Sequence, residues 1–105
     1  MKMGFTVYLI ASVALGSSIA AAADVRQGER MARRWCSPCH VVASDQTQPT
    51  SEAPPFSTIA NNKNFDANQL AFFLLDPHPK MPDMGLSRRE ANDLAAYIAS
   101  LKNER

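Results

Sequence analysis

Apolar positions along this chain recur with the period of helices, and no stretch shows the convincing two-residue alternation of a strand. The clearest segment is the last. Ala91, Leu94, Ala95, Ile98 and Leu101 make one apolar stripe, with Tyr97 beside it and Asn92, Asp93, Ser100 and Lys102 on the outward side. Ser87 followed by Glu90 supplies a capping box at its start. Arg88 and Arg89 fall in its first turn, where the helix dipole disfavours cations, and read as solvated charges. A helix is also predicted near the front, from roughly Val25 to Trp35, capped by Asp24. Its buried stripe would be Gly28, Met31, Ala32 and Trp35, and Arg26, Glu29, Arg30, Arg33 and Arg34 would be solvated. A third begins at Asp66, with Gln69 three residues on. Leu70 to Leu75 is apolar almost all round, so burial on more than one face is expected. Pro77 ends it near Asp76. Phe56 to Ala60 reads as a short helical turn between two loops, Ser44 to Pro55 and Asn61-Asn62-Lys63-Asn64.

The first residues have a different logic. Lys2 is a short positive region, Phe5 to Leu15 an apolar one, Gly16-Ser17-Ser18 loosens it, and Ala20 to Ala23 offers small-residue cleavage positions before Asp24. Residues 1–23 are therefore expected to be a cleaved export signal, and 24–105 one domain. An uncleaved anchor is the competing reading, since no charge lies between Lys2 and Asp24. Export to an oxidising compartment changes what a cysteine pair is for, because an unprotected pair there tends to form a disulfide.

The chain has two cysteines, and both lie in Cys36-Ser37-Pro38-Cys39-His40. C-x-x-C-H is the pattern of covalent haem attachment. Each thiol adds across one haem vinyl group, and the adjacent imidazole reaches the iron from the same side. A redox dithiol would call for a βαβ context, which is missing. A zinc site from Cys36, Cys39, His40 and His78 would force neighbouring residues into one tetrahedron. The expected cofactor is one covalent haem c, which also staples a domain too short to bury a large core. Apart from Lys2, the chain carries ten basic and ten acidic side chains, so nothing indicates a nucleic-acid binder.

Haem iron has a second axial position. Met31 sits too close before the motif to reach the opposite face. Met81, Met84 and His78 lie together in a loop stiffened by Pro77, Pro79 and Pro82, which suits a weak thioether ligand. On the pattern alone Met81 ranks first, then Met84, then His78.

Gly28, the C-x-x-C-H motif, Ala53-Pro54-Pro55-Phe56, Met81-Pro82, Leu86-Ser87 and Leu94-Ala95-Ala96-Tyr97-Ile98 together resemble a small bacterial class I cytochrome c, over essentially all of the chain after the leader. The resemblance implies an all-α fold of three main helices plus loops around a covalent haem, with the N- and C-terminal helices crossing. It implies thioethers at Cys36 and Cys39, His40 as proximal ligand and Met81 as distal ligand. Pro54 would accept a hydrogen bond from the proximal imidazole, with Pro55 as the alternative. Gly28 and Tyr97 would mark the helix crossing. The long insertion of larger members between His40 and the middle helix is lacking, and so is their lysine-rich face. Lys80, Arg88 and Arg89 make only a thin positive patch.

The function expected is electron transfer in the periplasm, between redox partner proteins met transiently, with membranes touched only through those partners. With both axial positions filled the iron has no open site and cycles between two oxidation states. Three other readings compete: a dedicated haem subunit of an oxidoreductase complex, a haem enzyme or gas sensor with a labile sixth position, and a thiol oxidoreductase using Cys36 and Cys39.

Overall fold

The computed structural model describes residues 3–12, 22–46, 53–77 and 80–104. Lys2, the Gly16-Ser17-Ser18 stretch, Ala20 and Ala21, the middle of the Ser44 to Pro55 loop, and His78 with Pro79 lie outside the described residues.

Helix α1 spans Val25–Met31, and the Asp24 side chain accepts from the Gln27 backbone N at 3.0 Å, as the capping pattern predicts. The turn then widens. Ala32–Cys36 is a π-helical segment in which the Ser37 N–H reaches back five residues to the Ala32 carbonyl at 3.1 Å. This overturns one expectation. Trp35 is 37% exposed, and Cys36 is buried in its place. An extra residue in the turn rotates every later side chain backward on the helix, so the inward position passes from Trp35 to Cys36. Gly28, Met31 and Ala32, which precede or open the wide turn, are buried as expected.

Helix α2 is the single turn Phe56–Ala60, and α3 spans Ala67–Leu75, capped by Asp66, whose carboxylate accepts from Gln69 N at 3.0 Å. Helix α4 spans Arg88–Ser100 with both halves of the Ser87–Glu90 capping box in place. No strand occurs among the described residues, so the fold is all-α. Helix α4 is the central element, packing against α1, α3 and α2. Its stripe Ala91, Leu94, Ala95, Ile98 and Leu101 is buried throughout, and Leu94 and Ile98 are almost wholly enclosed. Each of those two contributes about 1.5–3 kcal/mol by leaving water.

One expectation about faces fails. Asp93, read from the sequence as outward, is 5% exposed. It lies where α1 crosses α4, and its Oδ1 accepts from the Asp24 backbone N at 2.7 Å. Periodicity alone cannot distinguish a polar residue facing water from one facing a neighbouring helix end. Helix α3 has one side on the core. Ala71 and Leu74 are buried and Leu70 packs at the core margin, but Phe72 is 77% and Phe73 40% exposed. The polypeptide covers one side of this helix, because α4 is the helix packed against it.

The crossing of α1 on α4 is set by Gly28. A Cβ there would run into the Asp93 carbonyl, with the Asp93 carbonyl carbon at 2.7 Å and Tyr97 Cβ at 2.8 Å. Glycine lets the two backbones approach to contact. The crossing in turn fixes where the end of α1, and hence Cys36, meets the core.

Candidate functional site

The wide turn delivers Cys36-Ser37-Pro38-Cys39-His40 from the end of α1. Within it the His40 N–H and the Cys39 N–H both donate to the Cys36 carbonyl, at 2.9 and 3.1 Å. Ser37 Oγ donates to the Arg33 carbonyl at 2.6 Å, closing the turn from its side-chain side. Cys36 ends up buried and Cys39 exposed. Burial, helped by the charge of nearby Cys39, pushes the Cys36 thiol up to about 11. A thiol–disulfide catalyst needs the opposite shift, toward a thiolate at neutral pH. Among the described residues no three of His, Cys, Asp and Glu gather as a metal site would require. The thiol-catalyst reading of the cysteine pair therefore lacks chemical support in the geometry.

His40 is held from several directions. Its Nδ1–H donates to the Pro54 carbonyl at 2.6 Å, so Pro54, not Pro55, makes this contact. The bond assigns the proton to Nδ1 and leaves the Nε2 lone pair as the ring's donor. The Pro54 carbonyl is in place because the next residues are pinned: the Phe56 N–H donates to the Val41 carbonyl at 2.9 Å, and the buried Phe56 ring lies 5.0 Å from the imidazole at a 44° tilt.

Two residues that the sequence did not single out for this role brace the chain after the motif. Gln46 accepts from Val42 N at 2.8 Å and donates to the carbonyls of Ser37 at 3.1 Å and His40 at 2.9 Å. One amide thus ties both ends of the last motif turn to the loop behind it. The Tyr97 hydroxyl, buried on α4, donates to the Val42 carbonyl at 2.5 Å. Burial, ahead of the nearby Glu29 charge, raises the pKa of that phenol and keeps it a donor. A glutamine in a polar loop carries no sequence signal for such a role; the tyrosine could have been found as a buried aromatic needing a hydroxyl partner. Replacing Gln46 by Ala leaves Val42 N and two carbonyls to find water. We expect Gln46→Ala to lose about 1–3 kcal/mol in denaturant unfolding of the cofactor-loaded protein. Gln46→Glu, which keeps the acceptor but not the donors, should lie between the two.

In the loop ahead of α4, Met81 is partly buried and packed against the core, whereas Met84 is 37% exposed. Met31 is a core residue of α1, 3% exposed. The loop ahead of α4 is shaped by Asp83, whose Oδ1 accepts from Gly85 N at 2.9 Å, and by Gly85 at a φ of 64°, a left-handed conformation that suits glycine. His78 lies outside the described residues. Lys80, Arg88 and Arg89 are exposed around this loop.

The donor set suits haem. Two cysteines and a histidine with its Nδ1 proton already placed occupy one turn. Comparison with known proteins agrees. Residues 23–98 match the family described as cytochrome c oxidase, cbb3-type, subunit III. Cytochrome c-552 of Bradyrhizobium diazoefficiens is 52% identical over 94 residues, covering 90% of this chain and 90% of that protein. No solved structure matches at a comparable level. With the all-α fold, the C-x-x-C-H turn and these matches together, the chain belongs to the cytochrome c family and is an electron-transfer protein carrying covalently bound haem c.

Proposed function

We propose that this cytochrome works in the periplasm as a monohaem carrier with His40 and Met81 as axial ligands, exchanging single electrons with partner proteins in brief encounters. The observation that carries the reading is the Nδ1 hydrogen bond from His40 to Pro54, which fixes the tautomer and leaves Nε2 as the ring's donor in the turn that carries both cysteines. Haem c supplies an iron that cycles between ferrous and ferric. Cys36 and Cys39 anchor it through thioethers. Pro54 holds the imidazole in one tautomer and orientation, and Gln46 and Tyr97 keep the motif's backbone from shifting between oxidation states. Met81 offers a neutral thioether from a loop stiffened by prolines and packed on the core. Histidine–methionine ligation favours the reduced state and so raises the potential.

Export is supported by the leader itself. Phe5, Val7, Tyr8, Leu9 and Ile10 are each more than three-quarters exposed, and the family match begins only at residue 23. An apolar run that the fold leaves uncovered suits a segment removed after export. No helix of the described residues is long and apolar enough to cross a membrane. Partners would dock through a small interface, with Lys80, Arg88 and Arg89 giving a weak electrostatic bias. A second reading, a haem subunit fixed in an oxidoreductase complex, is favoured by the family's description as an oxidase subunit. Fractionation separates the two: a free carrier leaves with the periplasmic contents, and a fixed subunit stays with the membranes.

Attachment is tested by Cys39→Ser. The variant should retain one thioether at most and accumulate well below the parent level. Mass spectrometry of the exported protein checks this, and a normal doubly linked haem in the variant would contradict the assignment.

A further inference from the structure

Asp93 is the one buried charged side chain among the described residues, and its partner is the backbone nitrogen of Asp24, 69 residues away, at 2.7 Å. One neutral amide N–H is a poor partner for a buried carboxylate, which calls for an opposite charge. The same nitrogen belongs to the peptide bond at which the Ala-x-Ala pattern of the leader ends. Ala22 and Ala23 are exposed and line a shallow depression together with Ala67 and Asn68 of α3 and Arg89, Asn92 and Asp93 of α4.

We propose that Asp93 is the receptor for the processed N-terminus: cleavage between Ala23 and Asp24 turns a neutral hydrogen bond into an ion pair that locks α1 onto α4. Water adds across the Ala23–Asp24 bond, the carboxylate departs on Ala23, and the Asp24 amine takes up a proton. An α-amino group of ordinary pKa, about 7.7–8.0, is largely protonated at neutral pH. The Asp24 carboxylate keeps its own task, capping α1 through Gln27 N. The helix dipole opposes a cation at this end, and Arg89 at the rim does the same, while the carboxylates of Asp24 and Asp93 favour it. The lock sits at the crossing set by Gly28, whose close neighbour is the Asp93 backbone. Processing thus stabilises the helix pair that presents the haem-attachment turn.

This inference rests on the export reading, and its test separates the two. The haem-loaded protein is exported from its own leader, and a second form from an unrelated leader that leaves Ala22 and Ala23 in place. Each is made with Asp93 and with Asp93→Asn, and the N-terminus is read by mass. The processed form should have a folding equilibrium constant at least tenfold larger than the extended form at pH 7. That advantage should vanish in Asp93→Asn. The ammonium gains a carboxylate on folding, so its folded pKa lies above the unfolded value. Its stabilisation is full below about pH 7.7 and is lost as pH rises through the folded pKa. The comparison of the two native-sequence forms across pH needs no substitution, so it decides even if Asp93→Asn fails to fold. An N-terminus elsewhere than Asp24 overturns both the cleavage reading and the lock. Cleavage at Asp24 with no advantage, or with one that is independent of pH and of Asp93, overturns the lock and leaves the cleavage reading standing. Haem spectra should be unchanged throughout, so failure of the lock is distinct from failure of the electron-carrier reading.

Discussion

Met81→Ala keeps its haem, loses the sulfur-to-iron band of the oxidised protein, and drops in potential by on the order of 100 mV or more. Axial ligands set haem potentials over a range of roughly 0.8 V, and loss of a thioether removes the ligand that favours the ferrous state. A fall of that size corresponds to about a fiftyfold change in the reduced-to-oxidised ratio, since about 59 mV is tenfold for one electron. Attachment is unaffected because Cys36 and Cys39 lie on a different element, the turn after α1. The opened iron should also bind small external ligands such as cyanide or imidazole readily. Potentiometric titration and ligand-binding spectra check the prediction. Unchanged ligation in the variant would move the role to Met84 or His78.

Gly28→Ala should be the most damaging single methyl in the fold. The added Cβ meets the Asp93 carbonyl, which is α4 backbone and cannot rotate away as a side chain tip would. Inserting a methyl into a packed core usually costs about 1–3 kcal/mol, and a backbone-to-backbone clash belongs at or beyond the top of that range. Relief requires α1 to lift from α4, which also pulls at Asp24 on Asp93 and at the Tyr97 bond to Val42. For a domain whose whole stability is about 5–15 kcal/mol, a loss of about 3 kcal/mol or more should lower the yield of holoprotein and shift its unfolding midpoint clearly. A midpoint within error of the parent would show that the crossing tolerates a wider separation.

The sequence disclosed the elements whose determinants are local. Ser87 and Glu90, Asp66 and Gln69, and Asp24 all cap where the pattern put them, because a cap needs only residues within one turn. The α4 stripe was equally legible, since its period is long and regular. What escaped depends on contacts between distant segments. The exchange of Trp35 for Cys36 on the buried side follows from a π turn, which has no distinct residue pattern. Asp93 looked solvated because nothing local announces that the start of α1 ends on it. Gln46 sits in a polar loop, yet makes three hydrogen bonds to the motif region. The chemistry of the site was the most legible part, since C-x-x-C-H requires its residue types side by side, and the His40–Pro54 contact fell within the two prolines considered. His78 and residues 1–2 and 13–21 of the leader lie outside the described residues.

The most direct measurement is the optical spectrum of the exported protein, oxidised and reduced, made in cells that attach haem. Sharp c-type bands on reduction, with the weak far-red sulfur-to-iron band on oxidation, are the expected result for a His40- and Met81-ligated electron carrier. Haem bands without the far-red feature would contradict methionine ligation and favour His78 or an open site, and absence of haem would contradict the assignment of the motif altogether.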